Sequence, residues 1–269
     1  MTYPEKPAGA GAQASVLHWR EGAVAHIRFN RPKSLNAIDR GMAHGFLGAC
    51  QAIAADPAVR VVCLAGEGPA FMAGGDLVEM QADPIGVSRA LIAGMHGGIR
   101  LLAGLQAPVV AQVHGAVAGG GLGLMLACDL VLAAEGTRFG VAYPLIGASC
   151  DCSTSWGLPR AVGLRKATEL ALLGDTIQAD EALRLGLVTR VVPREQLAAA
   201  TDTLVQRLAG GPTQALGRLK QLLRASLDHD LDTHLDAEAA SFAACAATAD
   251  FREGVRAFLD KRAARFTGA

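Results

Sequence analysis

The chain has 269 residues, of which 51% are hydrophobic and only 4% aromatic, and its 25 basic residues balance its 25 acidic residues. The length fits one large domain with a small appendage, and the hydrophobic content excludes a disordered chain or a collagen-like fibre. The formal charge of zero gives no electrostatic basis for nucleic acid or an anionic membrane as the main partner, so we expect neither.

The cysteine pattern and the N-terminus bear on the cellular compartment. The six cysteines lack the spacing of a zinc or redox motif, so we expect no metal and a reducing, cytoplasmic location. Residues 1–14 are small and polar without an apolar signal region, which predicts a flexible tail. The uncharged stretch 101–128 is interrupted by Pro108 and a run of glycines, which favours a buried strand–turn–helix over a membrane span.

The predicted elements, taken in chain order, alternate between strand and helix. Residues 16–29 predict a hairpin around Glu21-Gly22, and Asp39 precedes a helix whose apolar residues recur at helical spacing. Further strands are predicted at 59–66, 108–115, 128–134 and 187–192, and further helices at 86–105, 166–175, 194–209, 213–227, 231–247 and 249–262. This order predicts an α/β core over 15–205 and a helical region over 206–269, with Gly210-Gly211-Pro212 marking the change.

Two glycine-rich turns, each following an apolar strand, are the most informative local features. They are AFMAGGDL at 70–77 and HGAVAGGGLGL at 114–124. A loop without bulky side chains lets backbone N–H groups approach a ligand, and a helix opened by such a loop adds partial positive charge. Neither loop has the spacing of a phosphate-binding or dinucleotide-binding motif. Each loop alone could be a simple tight turn, but together they favour a site that stabilises negative charge on a carbonyl oxygen.

Six segments of the chain follow the pattern of a known family. They are NRPKSLNAI (30–38), AFMAGGDLVEM (70–80), APVVAQVHGAVAGGGLGLMLACDLVLAA (107–134), LPRAVG (158–163), GDTIQADEALRLGLVTRVVP (174–193) and FREGVRAFLDKR (251–262). In these segments the chain resembles the enoyl-CoA hydratase/isomerase family, the crotonase superfamily. The resemblance implies an α/β spiral of ββα units and a C-terminal helical region that assembles a homotrimer or a dimer of trimers. It also implies an acyl-CoA or aryl-CoA thioester substrate, with coenzyme A as part of the substrate and no separate cofactor.

The resemblance further implies roles for individual residues. The backbone N–H groups of Gly75 and Gly120 would form an oxyanion hole for the thioester carbonyl. The residues that match the lining of the coenzyme A site are Lys33, Leu35, Ala73, Asp76 and Leu77. Phe258 and Lys261 match C-terminal positions that meet the adenosine-phosphate end, often from a neighbouring subunit.

The sequence departs from the family pattern at both acids of a hydratase. Hydratases of this family hold and activate one water with two glutamates, and the matching positions here are Gly123 and Tyr143. Glycine cannot transfer a proton, and a tyrosine near its reference pKa of about 10 is a poor base at neutral pH. Ordinary two-glutamate hydration is therefore not expected.

One carboxylate remains in the matching region, Asp151. Family isomerases of the ring-opening epoxide and dienoyl types place an aspartate there, so our leading hypothesis is an isomerase-type reaction in which Asp151 carries the proton. Asp151 could instead cap a helix over 153–161. Tyr143 could form a wall of the acyl pocket and donate a hydrogen bond to Asp151.

Two other functions stay open. Aryl-CoA dehalogenases of the family place a nucleophilic aspartate at the position of Asp151 and a histidine base at that of His96, so hydrolytic dehalogenation is the first alternative. His96 could equally be a polar residue on a helix face. The second alternative is a non-catalytic acyl-CoA-binding protein that has lost both glutamates.

Overall fold

The computed structural model describes residues 14–269, so all but the last residue of the predicted tail 1–14 lies outside the described residues. The strands of this part are β1 (Val16–Glu21), β2 (Val24–Phe29), β3 (Val61–Gly66), β4 (Val109–Val113), β5 (Ala116–Ala118), β6 (Leu130–Ala134), β7 (Arg138–Gly140), β8 (Ile177–Gln178) and β9 (Arg190–Val192). The α-helices are α1 (Arg40–Ala54), α2 (Leu77–Ala82), α3 (Pro84–Gly104), α4 (Gly120–Leu126), α5 (Thr154–Val162), α6 (Leu164–Leu173), α7 (Ala179–Arg184), α8 (Leu197–Ala209), α9 (Thr213–Ala225), α10 (Leu231–Ala246) and α11 (Ala249–Leu259).

The predicted hairpin, β1 and β2, forms one edge of the main sheet. Within the described residues it has six strands in the order β1-β2-β3-β4-β6-β9, with β1 and β2 antiparallel and the other neighbours parallel. Strand β3 is buried along its whole length, as its unbroken apolar sequence predicts. The predicted α/β architecture and the helical C-terminal region are confirmed.

A smaller sheet was not expected from the sequence. The short strands β5, β7 and β8 pair with one another, β5 and β7 in parallel and β7 and β8 antiparallel. Strand β5 lies inside the second glycine-rich turn, between β4 and α4. Strands of two or three residues show no alternation of polar and apolar positions that a sequence pattern could reveal. This sheet matters for the site, because it fixes the second glycine-rich turn.

Helices α1 and α3 pack against each other on one face of the main sheet. Asp39 caps α1, as predicted, by accepting a hydrogen bond from the Met42 N–H at 2.7 Å. A Cβ at Gly94 of α3 would lie 2.7 Å from the Ala43 carbonyl oxygen, and one at Gly98 would collide with the Phe46 ring. These glycines therefore allow the two helices to approach closely.

Helix α8 lies on the opposite face of the main sheet, where it covers β3, β4 and β6. The expected boundary between residues 205 and 206 falls inside this helix, which ends at Ala209. The break in helical structure comes after it, at 210–212, where two glycines and a proline interrupt the helical pattern. Among the described residues, no helix is long and apolar enough to cross a bilayer.

The last residues fold back on helix α11 instead of extending it to residue 262. Asp250 is buried and its carboxylate accepts hydrogen bonds from the Thr267 N–H at 2.7 Å and the Gly268 N–H at 2.8 Å. The Arg60 guanidinium donates to the Phe266 carbonyl oxygen at 3.2 Å. These contacts tie the chain end to the body of the protein.

Candidate active site

The first glycine-rich turn is held by main-chain hydrogen bonds that leave one amide free. The Ile38 N–H donates to the Gly74 carbonyl oxygen at 2.7 Å, and the Asp76 N–H donates to the Ile38 carbonyl oxygen at 2.9 Å. Gly74 has a φ of +104°, a conformation that favours glycine. The N–H of Gly75, between these bonds, donates to no carbonyl of the described residues.

Asp76 is occupied by interactions within the protein. Its carboxylate caps α2 by accepting hydrogen bonds from the Val78 and Glu79 N–H groups, and it pairs with Arg31 at 2.9 Å. Burial acts to raise the pKa of Asp76, but the hydrogen bonds and the positive charge of Arg31 outweigh it and hold the pKa below its usual value. The same guanidinium lies 3.0 Å from Asp39. Asp76 therefore fixes the turn that carries Gly75.

The second glycine-rich turn leaves an amide free at the start of a helix. Gly119, with a φ of +51°, donates its N–H to the Gly140 carbonyl oxygen at 3.1 Å. Gly120 begins α4, and its N–H donates to no carbonyl of the described residues, as expected in a first helical turn. The two turns are joined by the Ala118 N–H, which donates to the Met72 carbonyl oxygen at 3.0 Å.

Both free amides line one cavity of about 460 Å³. Asp151 and Tyr143 line it too, as do Ala73 and Leu77 of the expected coenzyme A site. The apolar remainder of the lining includes Ile38, Met80, Leu91, Ile92, Met95 and Ile146. The structure thus brings together four of the five predicted catalytic residues, with an apolar surface suited to an acyl group.

The Asp151 side chain lies beside Gly120. Its Oδ1 lies 3.7 Å from the position that a Cβ on Gly120 would take, and it accepts a short hydrogen bond from the Tyr143 hydroxyl. Burial, and next the charge and hydrogen bond of Asp151, raise the pKa of Tyr143 above its usual value, so the hydroxyl stays a donor. The residue before helix α5 is Ser153, and its side chain makes no cap hydrogen bond. Asp151 is thus directed at the cavity rather than at the helix end.

Two thiols flank Asp151. Burial, followed by the negative charge of Asp151, raises the pKa of both Cys150 and Cys152. Both thiols therefore remain protonated at neutral pH, and neither is an activated nucleophile. Asp151 is the only carboxylate among the described residues that line this cavity.

The position of the first hydratase glutamate is filled by backbone. A Cβ on Gly123 would lie 2.5 Å from Thr154 Oγ1 and closer still to the Cys152 carbonyl oxygen. Ser153 Oγ donates to the Gly123 carbonyl oxygen at 3.1 Å, which holds the segment in place. A side chain at position 123 would therefore require this segment to move.

His96 lies beside the site but does not line the cavity. Its Nε2 accepts a hydrogen bond from the Cys152 backbone N–H at 3.0 Å. Because a backbone N–H can only donate, Nε2 is the unprotonated nitrogen and the ring proton is on Nδ1. The lone pair that a general base would use is already engaged.

The remaining coenzyme A positions do not line this cavity, although the Leu35 carbonyl oxygen accepts a hydrogen bond from the N–H of Ala73, which does, at 3.1 Å. Lys33 and Leu35 are exposed on the turn after β2. Phe258, of which 83% is exposed, and Lys261 lie at the end of α11, where Phe258 lines a separate cavity between α9 and α11. Within one chain the structure does not bring these two residues to the site. No cluster of three or more histidine, cysteine or acidic side chains that could hold a metal ion is found among the described residues.

One wall of the cavity was not predicted from the sequence. Ser88, Leu91, Ile92 and Met95 of α3 line it together with Met80 of α2. The spacing of the α3 residues, one helical turn apart, is a signal that could have assigned them to one face. The signal does not show which structure that face meets, so it could not place them at the site.

The fold, with two glycine-rich turns that meet at one cavity, is that of a known class of enzyme, and comparison with known proteins identifies the family. The sequence model described as Enoyl-CoA hydratase/isomerase matches residues 20–269. The chain therefore belongs to the enoyl-CoA hydratase/isomerase family, and the protein is an acyl-CoA enzyme with the crotonase fold.

Individual relatives of the chain carry different activities. The chain is 38% identical to 1,2-epoxyphenylacetyl-CoA isomerase of Escherichia coli (strain K12), over 94% of this chain and 98% of that protein. It is 33% identical to crotonyl-CoA hydratase of Syntrophomonas wolfei, over 95% of this chain and 98% of that protein. The crystal structure of an enoyl-CoA hydratase from Mycobacterium smegmatis matches with a TM-score of 0.88 at 32% identity, covering 94% of this chain and 98% of that one. Similarity alone does not choose between the reactions.

Proposed function

We propose that this protein catalyses an isomerase-type reaction of an acyl-CoA thioester, with Asp151 as the group that moves the proton. The observation that carries the proposal is the lining of the cavity, where Asp151 is the only carboxylate among the described residues and lies beside Gly120. Gly75 supplies the second amide. An isomerisation needs one proton carrier and a stabilised enolate, and both are available here.

The chemistry follows from the positions of these groups. The thioester oxygen accepts hydrogen bonds from the Gly75 and Gly120 amides, which stabilises the negative charge that develops as the α-carbon loses its proton. Asp151 takes that proton and returns it to another carbon of the acyl group, so no atom is gained or lost. Tyr143 donates to Oδ1 of Asp151 and so restricts the orientation of the carboxylate.

The arrangement disfavours the other reactions. Hydration in this family uses two glutamates, and the backbone of Cys152 fills the space beside Gly123 where the first would stand. Dehalogenation needs a base to activate water, and the Nε2 of His96 is engaged by a backbone N–H. A non-catalytic acyl-CoA-binding protein would not need a carboxylate in the same cavity as the two free amides.

Replacing Asp151 by asparagine tests the proposal. We expect Asp151→Asn to lower kcat by about 10²–10⁴-fold, the usual contribution of a general acid or base, while the dissociation constant for the thioester changes little. Substrate would be found with a panel of epoxyphenylacetyl-, enoyl- and halobenzoyl-CoA thioesters followed by mass spectrometry. In deuterated water, deuterium enters the product at carbon to the extent that the proton held by Asp151 exchanges with solvent before it is returned.

The matched control is Asp202→Asn, on α8 at the other face of the main sheet, which should retain full activity. Full activity of Asp151→Asn on the true substrate would overturn the proposal. Transfer of an aspartate oxygen to product in a single turnover in ¹⁸O-labelled water would assign the protein to the dehalogenases instead. Binding of many thioesters without turnover of any would assign a non-catalytic role.

A further inference from the structure

The turn that carries Asp151 has an uncommon backbone conformation. Cys152 has a φ of +48° and Ser153 a φ of +68°, so two successive residues other than glycine are left-handed. Such residues each cost about 1–3 kcal/mol and persist where the surrounding structure holds them in place. Asp151 directly precedes this pair, so its direction depends on the contacts that hold the turn.

Hydrogen bonds that involve side chains tie the turn to three other parts of the chain. The Tyr143 hydroxyl donates to the Asp151 carboxylate, and Ser153 Oγ donates to the Gly123 carbonyl oxygen at 3.1 Å. The Cys152 N–H donates to Nε2 of His96 at 3.0 Å. Of these bonds, only the one to His96 holds the N–H of a left-handed residue. Cys152 is 1% exposed, so water could not readily replace the acceptor.

We propose that His96 is a positioning residue, which holds the Cys152 amide and thereby directs the Asp151 carboxylate into the cavity that Gly75 and Gly120 line. This inference rests on the proposed function of Asp151. His96 does not line the cavity and has no need to touch the substrate. Its role differs from that of a general base, because a nitrogen that accepts the Cys152 N–H cannot accept a proton from water at the same time.

Variants that keep or remove the acceptor test the inference. Glutamine can place its side-chain oxygen near the position of Nε2, whereas the shorter asparagine cannot reach it and leucine has no acceptor. We expect His96→Leu and His96→Asn to lower kcat by about 10- to 100-fold, the scale of a misdirected catalytic group, with little change in KM. His96→Gln should retain most of the activity, since its side-chain oxygen can accept the hydrogen bond of the Cys152 N–H. The control His44→Gln removes an exposed histidine of α1 and should leave kcat and KM at the wild-type values.

Hydrogen exchange of the Cys152 amide gives a readout that does not depend on activity. Exchange should be at least about tenfold faster in His96→Leu and His96→Asn than in the wild type and His96→Gln, since a net hydrogen bond of about 1.4 kcal/mol corresponds to that factor. Unchanged kcat and unchanged exchange in His96→Leu would overturn the inference, and so would equal losses of kcat in His96→Gln and His96→Asn. If Asp151→Asn were fully active while exchange still responded to His96, the proposed function would fail and the hydrogen bond would stand.

Discussion

Tyr143 occupies the position of a hydratase's second glutamate but acts as a hydrogen-bond donor. Its hydroxyl contacts Asp151 in a buried setting, where a hydrogen bond to a charged group contributes about 1.5–3 kcal/mol. We therefore expect Tyr143→Phe to lower kcat by about tenfold or more while KM stays within about twofold. Steady-state kinetics on the thioester that the substrate panel identifies would measure this. An unchanged kcat would show that Tyr143 only forms a wall of the cavity.

The pKa of Tyr143 predicts the behaviour at alkaline pH. Burial and the charge of Asp151 raise this pKa above its usual value of about 10, so the hydroxyl stays protonated and continues to donate through pH 10. The pH profile of kcat in the wild type should therefore show no decline between about pH 8 and 10 from loss of this proton. A decline in the wild type that is absent from Tyr143→Phe would contradict this prediction.

Single residues of the site could be predicted from the sequence only where a motif fixes them. Asp151 was found because it is the one acid left in its region, and the structure places it at the cavity. The hydrogen bond of His96 could not be predicted, because it joins a helix to a main-chain amide 56 residues away. The pattern of side chains along a sequence does not indicate which backbone groups those side chains contact. The left-handed conformation of Cys152 and Ser153 was missed for a related reason, since neither is a residue type that favours it.

At the scale of elements, the close packing of α4 against the Asp151 turn sets what position 123 can hold. We expect Gly123→Ala to destabilise the protein by about 1–3 kcal/mol, because its Cβ would meet the Cys152 carbonyl and the Thr154 hydroxyl. The control is Gly48→Ala on α1, where a Cβ meets nothing within 4 Å; it should be neutral or stabilising by up to about 1 kcal/mol. Chemical denaturation of both variants would measure the difference, and equal stabilities would contradict the packing argument.

The same packing predicts the result of restoring the missing acid. Gly123→Glu, even together with Tyr143→Glu, should not give hydratase activity, because the turn stands where the first carboxylate would need to be. An assay of water addition to crotonyl-CoA would measure this. Hydration at a rate above that of the wild type would show that the turn moves aside easily.

Long elements were predicted well, and short ones were not. The hairpin, the strands of the main sheet and the helices from α8 onward follow the apolar periodicity of the sequence. The pairing of β5, β7 and β8 depends on backbone contacts between distant segments, such as Ala116 with Arg138, and these leave no local signal. Helix α2 was not predicted, because its six residues are too few to show a periodicity, although Leu77 and Met80 line the cavity.

For the whole molecule, a net charge of zero means that any affinity for an anionic coenzyme must be local. We expect Lys33→Ala and Lys261→Ala each to raise KM for the coenzyme A thioester by about tenfold, the effect of losing about 1.4 kcal/mol. The KM for the same acyl group on N-acetylcysteamine, which lacks the nucleotide, should not change. Equal increases for both thioesters would show that these lysines act on the fold and not on the coenzyme.

The C-terminal helices expose many large apolar side chains. The exposed side chains include Leu223, Leu227, Leu231, Phe242 and Phe258. Large exposed apolar patches mark association sites, so we expect a homotrimer or a dimer of trimers. Sedimentation equilibrium would measure the mass. A stable monomer at micromolar concentration would contradict this prediction and would leave Phe258 and Lys261 without a neighbouring site to serve.

The two free amides have a consequence for how the protein can change over generations. They belong to the main chain, and the bonds that place them, such as Ala118 to Met72, are also main-chain bonds. A mutation changes a side chain, so most single mutations leave the Gly75 and Gly120 N–H groups intact. The acids and bases around them are free to be replaced one at a time. A lineage with this backbone can therefore acquire new reactions while the two amides proposed to bind the thioester oxygen are inherited unchanged.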